Sequence, residues 1–121
     1  MKKSVLFLSL ILISAALLFA AGFNSEIISP GGEKQISVRA NRFLLIRTFT
    51  QEGGATRGVV TVNMAGQTAN VLAASVIDPS NPTPGELDVI NSIVIAGPAI
   101  VSATCPADAT SCFLTFRNET E

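Results

Sequence analysis

Past residue 22 the apolar positions come in short runs with a period of two, and none holds a 3.6-residue period for three turns. Ile36 and Val38 alternate with Ser37 and Arg39 in Gln35 to Arg39. In Arg42 to Thr50, Phe43, Leu45 and Phe49 fall on one side and Leu44 and Ile46 on the other, which predicts a strand buried on both faces at its middle. Gln51 to Arg57, with Gly53-Gly54, reads as a loop. Gly58 to Met64 and Thr68 to Ile77 read as a hairpin across Ala65-Gly66-Gln67, with Val60, Val62 and Met64 sharing a face. Pro79, Pro82 and Pro84 exclude a central strand from Asp78 to Gly85 and predict the longest loop there. Leu87 to Ile95, Ala99 to Ala103 and Cys112 to Asn118 supply the remaining strands. Gly97-Pro98 marks a kink, a bulge or a crossing between sheets. Six to eight short strands over 23–121 predict an all-β fold. The expected form is a small antiparallel two-sheet sandwich, with the jelly roll among its candidate topologies.

The first 22 residues follow a different rule. Lys2 and Lys3 precede an uncharged apolar run from Ser4 to Ala21 that closes on Ala20-Ala21-Gly22, the layout of a secretory signal peptide. Cleavage after Gly22 places small residues at both positions that must be small. The expected organisation is therefore a signal peptide at 1–22 and one β-sandwich domain at 23–121, with no membrane span in the mature chain. If the segment were kept as an anchor the topology would be the same, because Lys2 and Lys3 hold the start of the chain inside. Either way the domain is expected outside the cytoplasm: secreted, periplasmic or at the cell surface.

That location changes the reading of Cys105 and Cys112. In an oxidising compartment an even pair this close predicts a disulfide. The spacing is not that of a Cys-x-x-Cys redox pair, and a chain without histidine supplies a zinc site poorly.

Charge adds exclusions. From Phe23 onward six basic residues stand against nine acidic ones, a net charge of −3, which argues against nucleic acid and anionic membrane surfaces as partners. Residues 23–60 carry +2 and residues 61–121 carry −5, so the basic half of one copy could face the acidic half of another.

Candidate chemistry is thin. With no His, Trp or Tyr, most general acid-base and nucleophilic arrangements cannot be assembled, and no enzyme activity and no cofactor are expected. Asp78, Asn81, Glu86 and Asp88 are weak candidate oxygen ligands for calcium in a proline-stiffened loop, although their order matches no EF-hand. Phe43, Phe49, Phe113 and Phe116 lie in strand patterns and are expected in the core. The expected function is that of a secreted or surface-associated structural or interaction protein, non-enzymatic, with a protein partner or a second copy of itself as partner. The alternative is an extracellular module for a glycan or calcium that uses the 78–88 loop.

Overall fold

The computed structural model describes residues 22–80 and 92–120. The segment 1–21 and the stretch 81–91, and with them the expected signal and the start of the Leu87 to Ile95 strand, lie outside the described residues. Nine strands are described: β1 Asn24–Ile28, β2 Glu33–Val38, β3 Arg42–Glu52, β4 Val59–Met64, β5 Gln67–Ala73, β6 Ser75–Ile77, β7 Ile93–Ala96, β8 Ala99–Thr104 and β9 Ser111–Thr120. They form two mostly antiparallel sheets. Sheet A runs β1-β9-β3, with β7 and β6 both on the far side of β3, and sheet B runs β2-β8-β4-β5.

The pairing has a simple generator. β1 pairs β9, β2 pairs β8, β3 pairs β7 and β4 pairs β5, all antiparallel, so the chain is one long two-stranded ribbon whose tip is Ala65-Gly66. Rolling that ribbon brings β9 against β3 and β8 against β4 and closes both sheets. This order is that of a jelly roll. Both tip residues have positive φ, 52° at Ala65 and 80° at Gly66, as a two-residue type I′ turn requires.

Register explains which residues go inside. β3 carries a bulge between Ile46 and Thr48 that leaves Arg47 without a partner on β9. The extra residue shifts the alternation by one, so Leu44 and Ile46 point inward before it and Phe49 and Gln51 after it. The strict period-two reading placed Phe49 with Phe43 and Leu45. Those two sit half-buried on the outer face instead, and β3 is buried on one face rather than two.

From sheet B, Ile36, Val38, Val60, Val62 and the small residues Ala99 and Ala103 beside Val101 meet this row together with Leu114 and Phe116 of β9. Thin residues on the central strand β8 leave room for Phe49 and Leu114, both fully buried.

One further departure from the sequence pattern has a physical cause. The expected Thr68 to Ile77 strand is divided at Ala74, which is fully buried and whose N–H donates to Gly58 O at 2.9 Å. β5 stays in sheet B, while β6 crosses to sheet A and pairs parallel with β3 from Thr50 to Glu52. Gly97-Pro98 is the opposite crossing, from β7 in sheet A to β8 in sheet B. A side chain at Gly97 would collide with the Arg39 carbonyl oxygen, so the crossing needs glycine.

Candidate interaction surfaces

Several ionisable groups are held by local structural tasks. Asp108, in the loop between β8 and β9, accepts through Oδ2 from the N–H of Ala55 at 2.8 Å and of Thr56 at 3.0 Å. The Thr56 N–H does most to hold its carboxyl below the usual range, against a smaller opposing effect of desolvation and with help from the Ala55 N–H. Glu26 pairs with Lys34 at 3.1 Å and Glu119 with Arg117 at 2.6 Å. Of the proposed calcium ligands, Asp78 accepts through Oδ1 from Ser80 N at 3.0 Å and Ser80 Oγ at 2.6 Å, a local Asx turn. Asn81, Glu86 and Asp88 lie outside the described residues. Among the described residues no group of three or more His, Cys, Asp or Glu converges on a point.

Cys105 and Cys112 are joined in a disulfide with Cα atoms 5.7 Å apart. It closes the loop between β8 and β9 and is compatible with an extracytoplasmic location. Three loops meet around it. Cys105 N donates to Gly32 O at 2.9 Å, Gly31 N to Cys105 O at 3.0 Å, and Thr110 N to Glu52 O at 2.8 Å. Beneath them Gln51, 1% exposed, donates from Nε2 to Gly53 O at 3.0 Å and Thr56 O at 2.7 Å, and accepts from Gly58 N at 2.6 Å. The sequence pattern places Gln51 at the head of a loop and carries no signal of this role, whereas in the structure β3 runs on through Glu52. Only the bulge at Arg47 turns it inward.

The unassigned surface is more informative than these groups. On the outer face of sheet A, Ile27 of β1 lies opposite Phe113 of β9, and Val94 of β7 opposite Leu45 of β3. Ile27 is 75% exposed, Val94 61% and Phe113 39%. Phe113 and the half-buried Phe43 are therefore not core residues, contrary to the sequence pattern, whereas Phe49 and Phe116 are. At one corner Phe23 stacks under the Arg117 guanidinium, 4.7 Å from the ring centroid. Phe23 and Ile27 went unrecognised because β1 is short and half polar; the Pro30-Gly31-Gly32 turn behind it was the available signal.

The outer face of sheet B is different in kind. Gln35, Ser102, Thr61 and Asn70 stand in register across β2, β8, β4 and β5, and Thr61 Oγ1 donates to Asn70 Oδ1 at 2.7 Å. Ser37, Ile100, Asn63 and Thr68 form the next row. Both rows are uncharged.

The two sides of the sandwich also differ. On one side β1 and β2 carry Glu26, Glu33 and Lys34, and the Lys34–Glu26 pair borders a shallow concavity of about 240 Å³. On the other side β5 has no charge and no proline, and Gln67 to Asn70 are exposed. Behind it lies an open concavity of about 250 Å³ lined by Val62, Met64, Ala69 and Val71 with Gln67 and Thr68.

The charge division of the sequence does not survive folding. β1, β2 and β3 interleave with β7, β8 and β9, so neither half forms a lobe. Among the described residues no helix is long and apolar enough to cross a membrane.

No protein-family model matches this chain, and no curated protein matches it. Among solved structures it is similar to a de novo designed double-stranded beta-helix, with a TM-score of 0.46 and 13% identity over 80% of this chain and 97% of that one.

Proposed function

We propose that this chain is a secreted or surface-associated structural or interaction protein that acts by contact rather than by catalysis, docking on a partner or on a second copy of itself. The observation that carries this reading is the outer face of sheet A, where Ile27, Val94 and Phe113 stand exposed on strands that could have shown polar residues there. Exposed apolar pairs on one sheet face, Ile27 beside Phe113 and Val94 beside Leu45, are what a contact face can use. The glycan or calcium alternative gains nothing from Asp78, which is engaged by Ser80.

The test is sedimentation of the purified protein over a hundredfold concentration range, with and without Ile27→Ser/Val94→Ser, beside a pull-down on cell-envelope fractions. Concentration-dependent association, or envelope binding that the double variant loses, supports the reading. A strict monomer that binds no fraction would sink it.

A further inference from the structure

We infer that two copies of this chain join through β5, edge to edge and antiparallel, so that the two sheets B become one continuous sheet. The inference rests on the contact reading above and names its copy-to-copy interface.

β5 is the longest edge strand among the described residues, seven residues against six in β2, five in β1, four in β7 and three in β6. Long edges are normally blunted by charge or proline. The edges on the opposite side are blunted in that way, by Glu26, Glu33 and Lys34, while β5 reads Gln-Thr-Ala-Asn-Val-Leu-Ala. A strand with no charge can meet its own copy without opposing like charges, which neither β1 nor β2 can do at every register.

The hairpin sets the register. With a two-residue turn at Ala65-Gly66, the pair Met64 and Gln67 next to the turn is hydrogen-bonded, and so is Val62 with Ala69. Thr68 and Asn70 then direct their N–H and C=O away from β4, to the outer edge. The turn at 65–66 and the bulge opposite Val60 and Thr61, which leaves Val71 unmatched, bound this stretch on both sides. Its centre is Ala69. Antiparallel pairing about Ala69 sets Thr68 opposite Asn70 of the second copy and Asn70 opposite its Thr68, each pair exchanging two backbone hydrogen bonds. Ala69 meets Ala69 at the intervening position, where Cβ atoms come closest. The Asn70 amide, whose oxygen is taken by Thr61 Oγ1, keeps its NH₂ for the opposing Thr68 hydroxyl.

The two-fold axis of such a dimer is perpendicular to sheet B. Both outer faces of sheet B therefore point to one side, and both outer faces of sheet A to the other. The dimer presents two copies of the Ile27, Val94 and Phe113 face in the same direction, which multiplies contact with a surface through effective concentration.

Three forms of the full-length secreted protein test this by sedimentation equilibrium. Thr68→Lys/Asn70→Lys sets lysine against lysine in both pairs and Thr68→Glu/Asn70→Glu sets glutamate against glutamate, so each alone should dimerise at least tenfold more weakly than the wild type. Mixed in equal amounts they should recover the dimer, a result that misfolded variants cannot give. Ala69→Cys should form a disulfide-linked dimer at least tenfold faster than Ala40→Cys, an exposed turn position. If the wild type associates and the charged variants associate equally well, or the mixture restores nothing, the β5 assignment is wrong while the contact reading stands. If the wild type does not associate at all, the assignment and the self-associating form of that reading fail together, and envelope binding alone remains to be judged.

Discussion

The loops around the disulfide and the β4–β5 hairpin both link consecutive strands, yet they are built on opposite principles. Around Cys105–Cys112, three loops are cross-bonded, the polar side chain beneath them is buried and satisfied, and a covalent link closes the last one. At the hairpin two residues make the turn, the first four residues of β5 lie exposed, and the inner face stands over an open concavity. A small jelly roll concentrates its constraints at one end and leaves surface available at the other. Stability and contact are thereby assigned to different residues, and substitutions should separate them.

The largest effect is expected at Gln51. Gln51→Leu removes three hydrogen bonds at once and leaves the Gly58 N–H and two carbonyl groups without their partner, which should cost about 3 kcal/mol in urea unfolding. Next comes the cross-link. Cys105→Ala/Cys112→Ala releases a loop of eight residues and should lower stability by about 2.5 kcal/mol on the chain-entropy account. A loss as large at the hairpin as at either of these sites would end the contrast.

Asp108 sharpens it through pH. Its carboxyl is held below its ordinary value in the folded state, so its contribution is present above the unfolded value and is lost as pH falls through the folded one. The melting-temperature gap between wild type and Asp108→Asn should therefore be widest near neutral pH and close on acidification. A gap that widened in acid would reverse the assigned role. The smallest effect belongs to the other end: Met64→Gln, at a 44% exposed position beside the turn, should change stability by no more than about 0.5 kcal/mol.

Much of this division was legible in the chain, for reasons that can be named. Val60, Val62, Ile36 and Val38 obey strict alternation, and the structure buries all four. Gly97-Pro98 marked a kink, a bulge or a crossing because proline lacks the ladder donor, and in the structure it is the crossing from β7 to β8. What escaped were features that depend on one residue too many. Arg47 looks like any outward arginine, yet as a bulge it reverses the inside and outside of Phe49 and Gln51. Val71, unmatched in β5, has the same standing and bounds the stretch that is open to a neighbour. Phe113 and Phe116 stand three apart on one strand, so alternation sends them to opposite faces, Phe113 outside and Phe116 inside.

The nested ribbon has a consequence in time. Strand β1 finds its partner some ninety residues downstream, and β3, the centre of sheet A, is flanked by β9 as well. Neither sheet can close until residues 99–120 are present, and contacts of such long range make folding slow. A chain emerging from one end would stay open while most of its length was made, and would roll up only when its distant partner strand arrived.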